Sequence, residues 1–153
     1  MKTKNLRISM LACLISLFTI ASCNKDDDSP SNNTQTNVEK NVQSGTWRIT
    51  KFIDSGSDET NDFQGYNFTF NSSGVLNANN GTNNFDGTWS ITDSNSNDDS
   101  QDDLDFNINF NLTNYFEDLN DDWDFISQSS TKIELIDVSG GNGGTDYLTF
   151  EKN

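Results

Sequence analysis

From about residue 44 onward, apolar and polar positions alternate along the chain. In Leu104-Asp105-Phe106-Asn107-Ile108-Asn109-Phe110-Asn111-Leu112, five apolar residues hold one phase and four polar residues the other. This is the period-two pattern of a strand with one dry and one wet face. Shorter stretches repeat it: Tyr66, Phe68 and Phe70; Trp89 and Ile91; Trp123 and Phe125; Ile133 and Leu135; Leu148 and Phe150. With the segment from Gly45 to Ile53 and a short one around Val75 and Leu76, the pattern predicts about eight strands. Asn71-Ser72-Ser73-Gly74 and Ser139-Gly140-Gly141-Asn142-Gly143-Gly144 read as hairpin connections, so successive strands run antiparallel. The only helix-like piece is Asn114 to Asn120, where Asn114 can cap and Glu117 follows three residues on. Without helical crossovers a parallel sheet is excluded. The expectation is an all-β domain, an up-and-down barrel or, alternatively, a β-sandwich.

Composition says what fills that fold. Aliphatic residues are sparse beyond residue 44, yet of 17 aromatic residues only Phe18 lies in the N-terminal segment. A buried aromatic removes on the order of 150 to 250 Å² from water, so the core is expected to be built of rings. The inward phase offers Trp47, Phe68, Trp89, Phe106, Phe110 and Trp123 either as plain core or as the walls of a ligand cavity.

The N-terminus has a different character. Lys2, Lys4 and Arg7 precede an uncharged apolar run from Ile8 to Ile20, the profile of a secretory signal. The run is shorter than the roughly 20 apolar residues that span a bilayer. Ile20-Ala21-Ser22-Cys23 then resembles the lipobox of bacterial lipoproteins. That resemblance implies cleavage after residue 22 and acylation of Cys23, which anchors the mature chain to a membrane. Cys13 would leave with the signal, so the mature chain can form no internal disulfide. Asn24-Lys25-Asp26-Asp27-Asp28 resembles the signal that sends lipoproteins of Bacteroidota to the outer face of the outer membrane. Residues 23–43 are polar, contain the single proline and read as a lipidated disordered tether of roughly 25 Å. Residues 44–153 would then be the β domain.

Gly45-Thr46-Trp47 at the start of the first strand, with eight antiparallel strands to follow, resembles the Gly-x-Trp opening of lipocalins and of lipocalin-like surface lipoproteins of Bacteroidota. Phe68-Thr69-Phe70, Gly87-Thr88-Trp89 and Leu119-Asn120-x-x-Trp123 are similar in spacing to those bacterial domains. The resemblance implies that Trp47 lies across the closed end of a barrel and that the domain binds without catalysis.

The chain contains no histidine, which excludes Ser-His-Asp and Cys-His catalysis and His-containing zinc sites. A carboxylate pair of glycosidase type is the remaining catalytic option, but the acidic residues fall in loops and on wet strand phases. Loss of Lys2, Lys4 and Arg7 takes the net charge from −15 to −18, which repels nucleic acid. Asp93-Ser94-Asn95-Ser96-Asn97-Asp98 begins like an EF-hand loop, but position six is Asp98 and position twelve is Leu104. Asp98, Asp99, Asp102 and Asp103 are candidates for an irregular calcium site, against a solvated acidic loop. The stretch from Asp118 to Asp124 is a second candidate, against a structured corner around Leu119 and Trp123. No cofactor is implied. The expected partners are the membrane, through the anchor, and a small apolar molecule, a glycan or an envelope protein. The alternative is a structural or adhesive surface protein without a cavity, with calcium-assisted adhesion as a special case.

Overall fold

Each alternating segment forms a strand. The structure, a computed structural model, describes residues 33–94, 103–139 and 144–153. A helix, α1 (Asn33–Gln43), comes first, followed by β1 (Trp47–Asp54), β2 (Ser57–Asp58), β3 (Asn67–Phe70), β4 (Val75–Asn79) and β5 (Asn84–Asp93). Then come β6 (Leu104–Asn109), β7 (Asp121–Gln128), β8 (Lys132–Val138) and β9 (Thr145–Lys152). From β3 to β9 each strand pairs antiparallel with the next, and β9 returns to β1 from Trp47↔Lys152 to Ile53↔Tyr147. Eight strands thus close an up-and-down barrel, and the sandwich alternative falls because one sheet pairs back onto itself. The two-residue β2 is a flap folded onto the end of β1 at Ile53↔Asp58.

Closure on the β3 side is narrow, because β1 is registered with β3 only at Trp47↔Phe68. Beyond that pair the two strands diverge, and a 3-10 turn (Thr60–Phe63) covers the gap. Thr60 accepts a hydrogen bond from the Phe52 amide through Oγ1 at 2.8 Å, and the Glu59 amide donates to the Phe52 carbonyl at 3.0 Å. The β1 backbone is therefore satisfied there without a neighbouring strand. A register shift between Ile49 and Lys51 does a second job in β1. The bulge moves the inward phase by one residue, so Trp47, Ile49 and Phe52 are all buried.

Rings dominate the interior. Phe70 packs edge-on to Trp89 at 5.5 Å and to Phe150 at 5.5 Å, and Phe106 stacks on Phe125 at 5.8 Å. Towards one end Phe116 gathers Phe63, Tyr66, Phe85 and Phe110 at 4.9–5.4 Å. Most of these pairs are T-shaped or tilted, the geometry favoured by ring quadrupoles.

One expectation about helices needs correction. The stretch expected to be a disordered tether up to residue 43 is helical from Asn33, and the folded domain begins there. Its sequence, NTQTNVEKNVQ, is rich in poor helix formers. Tertiary contact holds it instead: Val38 and Val42, one turn apart, are fully buried. The Trp47 indole N–H donates to the Val42 carbonyl at 2.8 Å, and Gln35 Nε2 donates to the Ile91 carbonyl at 2.9 Å. The helix closes the end of the barrel where β1 begins and β9 ends. At the opposite end, the helix expected over Asn114 to Asn120 is a single 3-10 turn, Glu117–Leu119. Asn114 Oδ1 accepts from the Phe116 amide at 3.0 Å just ahead of the turn, whose N-cap position is Phe116 with no side-chain cap.

A helix that closes the core makes a different prediction from a tether. Val38→Ala should lower the unfolding free energy by about 2 kcal/mol, whereas Lys40→Ala, on the exposed side of the same helix, should change it by less than about 0.5 kcal/mol. Urea denaturation of the chain from Asn24 onward measures both, and a silent Val38 substitution would return α1 to the tether.

Candidate functional site

All six residues offered as cavity walls lie in one core cluster and face inward. Phe68 meets Phe116 and Phe150, Trp89 meets Phe70 and Phe106, and Trp123 meets Phe52 at 6.4 Å. Phe110 meets Phe116 at 4.9 Å. The tryptophan N–H groups are all consumed by backbone carbonyls: Trp47 by Val42 at 2.8 Å, Trp89 by Asn71 at 2.9 Å and Trp123 by Leu119 at 3.1 Å. Trp47 lies across the helix-closed end, with Lys152 Nζ 5.0 Å above its ring. Five of the six rings pack on another aromatic ring of the core, and a ligand would have to displace those contacts.

Cys23, Asp98, Asp99 and Asp102 lie outside the described residues. Asp103 is described, and its carbonyl accepts from the Ser94 amide at 2.9 Å and from Ser94 Oγ at 3.0 Å, which closes the base of the β5–β6 loop. In the second calcium candidate, Leu119 and Trp123 are buried, and Asn120 turns its side chain to the backbone N–H and C=O of Phe110. That is a structured corner. Among the described residues no three His, Cys, Asp or Glu side chains are grouped so as to hold a metal ion.

Two features had no signal in the sequence. The first is an acidic mouth at the end away from α1. Desolvation, and then the charges of Asp54, Asp118 and Asp62, raise Glu59 above the usual carboxylate range. Desolvation with Asp54, Glu117 and Asp62 raises Asp118. Asp121, on the inward phase of β7, is pushed up to about 6, mainly by desolvation and with Asp137 and Asp122 adding repulsion. In the same region the Tyr115 hydroxyl is 3.0 Å from that of Tyr66, which accepts from Asn83 Nδ2 at 3.2 Å. The hydrogen bond to Tyr66 raises Tyr115 to about 12.

The second feature is a depression of about 270 Å³ on the outside of the β5–β6 ladder, lined by Thr88, Trp89, Ser90, Asn107, Ile108 and Asn109. Thr88 faces Asn109 and Ser90 faces Asn107 across the ladder. In the sequence these polar residues are simply the wet phase of two strands, and period-two alternation does not distinguish one wet surface from another.

The raised carboxylates give the barrel an unusual pH dependence. A group whose folded pKa exceeds its unfolded value binds protons more tightly when folded, so acidification stabilises the fold between the two values. For Asp121 that window runs from about 6 down to 3.8, and Glu59, Asp105 and Asp118 are raised in the same sense. Asp58 and Glu134 act oppositely, held low by hydrogen bonds from Thr60 and from Lys132 and Ser127, and their contribution is lost only on further acidification. The thermal midpoint should therefore rise from pH 7 to about pH 5. Asp121→Asn should raise the unfolding free energy at pH 7 by about 1 kcal/mol, after discounting for solvent screening, and flatten the rise in midpoint. A midpoint that falls steadily over that range contradicts the assignment.

No family model matches the chain, and no curated protein matches it. Among solved structures it is similar to a DUF4847 family protein from Bacteroides vulgatus, with a TM-score of 0.50 and 22% sequence identity. The match covers 76% of this chain and 97% of that one. At that identity the likeness is one of fold.

Proposed function

We propose that the protein is a lipid-anchored envelope protein with a non-enzymatic binding role, in which the barrel is a packed scaffold and the outer surface meets the partner. The observation that carries this reading is the burial of all six candidate wall residues in one core cluster, where Phe68, Trp89, Phe106, Phe110 and Trp123 each pack on another aromatic ring. A lipocalin-type ligand inside the barrel would have to replace ring contacts that hold the fold together.

Anchoring rests on the lipobox at Ile20 to Cys23, and placement on the outer face of the outer membrane rests on Lys25-Asp26-Asp27-Asp28. Nine residues, 24–32, separate Cys23 from α1 in the sequence. An anchor there tethers the helix-closed end and leaves the acidic mouth facing away from the membrane. Charge layout agrees with that orientation: among the described residues, Lys40, Arg48, Lys132 and Lys152 all stand at the helix-closed end, and only Lys51 lies further along. Non-catalytic function is supported by the placement of the paired carboxylates. Asp105 and Asp124 face each other across the ladder on the outward phase of β6–β7, as neighbours on adjacent strands.

Cys23→Ser should move the protein from the membrane to the soluble fraction, and persistence with the membrane would remove the anchor from this reading. Native mass spectrometry of protein extracted gently from its source cells, then cleaved within residues 24–32, should give the bare polypeptide mass. A retained apolar molecule would overturn the packed-scaffold reading in favour of an internal carrier.

A further inference from the structure

The outer wall of the barrel is divided chemically. From β4 through β7 there is no lysine or arginine, and Asp86, Asp105, Asp122 and Asp124 stand on the outward phase. All five described cations lie on α1, β1, β8 and β9. An anionic partner therefore finds no counter-charge on the β4–β7 wall, and a neutral or cationic one is favoured.

Within that wall the hydrogen-bonding groups fall into two sets. On β4 and the start of β5 they satisfy one another: Asn77 Nδ2 donates to Asp86 at 2.7 Å and to Asn84 at 3.0 Å, and Asn79 Nδ2 donates to Asn84 at 2.7 Å. Over the depression on β5–β6 they do not. The side chains of Thr88, Ser90 and Asn109 make no hydrogen bond to another described residue. Asn107 turns its Nδ2 to Thr92 Oγ1 at 2.9 Å and leaves its carbonyl oxygen open. Four neutral side chains carrying hydroxyl and amide groups thus rim one concavity, fixed in place by the ladder from Thr88↔Asn109 to Asp93↔Leu104.

Gly87, on the inward phase of β5, marks a close approach of β6 beneath this part of the wall. A Cβ at Gly87 would lie 2.5 Å from the Asn109 carbonyl oxygen and 2.8 Å from Phe110 Cδ1. Only glycine lets the end of β6 close onto β5 here while the Phe110 ring turns into the core.

From this rim we infer that the β5–β6 depression is a binding site for a neutral saccharide. A sugar presents vicinal hydroxyls that both donate and accept. Ser and Thr hydroxyls and Asn amides match both roles, and Asp105 and Asp122 beside the rim accept further hydroxyl protons. The rim is held on a rigid ladder, so little ordering is required on binding. The inference rests on the outer-surface reading above and names the ligand class for it.

The test is an amide chemical-shift titration of the chain from Asn24 onward with three neutral oligosaccharides, maltohexaose, xylohexaose and mannohexaose, and with an oligogalacturonate as the anionic counterpart. At least one neutral sugar should shift the amides of Thr88, Ser90, Asn107 and Asn109, and the oligogalacturonate should not. Asn109→Ala combined with Ser90→Ala should weaken that sugar about tenfold while the core amides of Phe68 and Phe150, on the far side of the barrel, keep their positions. The site is overturned if none of the three neutral sugars shifts these amides at millimolar concentration, if the anionic sugar shifts them equally, or if they shift with protein concentration alone, which would identify a second copy of the chain as the occupant. Shifts confined to the acidic mouth would overturn this site and leave outer-surface binding standing. Shifts centred on the interior rings would overturn both.

Discussion

Closure of the sheet passes through Trp47, whose backbone is registered with Phe68 of β3 on one side and with Lys152 of β9 on the other. Its indole N–H is bonded to the Val42 carbonyl, so the residue that joins the first and last strands also seats the helix over the open end of the barrel. The ring is fully buried beneath Lys152 Nζ. With the β1–β3 seam reduced to one registered pair, burial of this indole does the work that a longer ladder does elsewhere in the sheet. Buried aromatic area is the largest favourable term available to a chain with few aliphatic residues.

The aromatic core has a consequence for function. Rings large enough to meet across a small eight-stranded barrel leave its interior to the side chains themselves. On the outside, the wet phase of each strand can vary without disturbing the core. The outer wall carries acid and amide groups from β4 through β7 and its cations on β1, β8 and β9, and the end away from the helix is ringed by carboxylates that repel one another. Such a surface resists self-association through its net charge.

The strands were legible in the sequence because their signal is local. Each alternating run, such as Leu104 to Phe110, must bury one phase whatever its neighbours do, and each of the anticipated segments is a strand. Helix α1 was not legible: two valines one turn apart in a polar, asparagine-rich stretch carry almost no amphipathic signal, and their burial exists only because the barrel end is there to receive them. The six rings could be assigned to the inward phase, but whether they line a space or fill it depends on distances between strands far apart in the chain.

The sequence alone determined the alternation, the antiparallel order, the aromatic core and the exclusion of histidine chemistry, since all of these follow from residue identity and spacing. Tertiary structure alone decided that the sheet closes, that residues 33–43 cap it, that Asp121 is raised to about 6, and that Thr88, Ser90, Asn107 and Asn109 share one concavity. Each of these depends on which strand lies beside which, and strand neighbours are set by the global closure of the barrel, which no local pattern encodes.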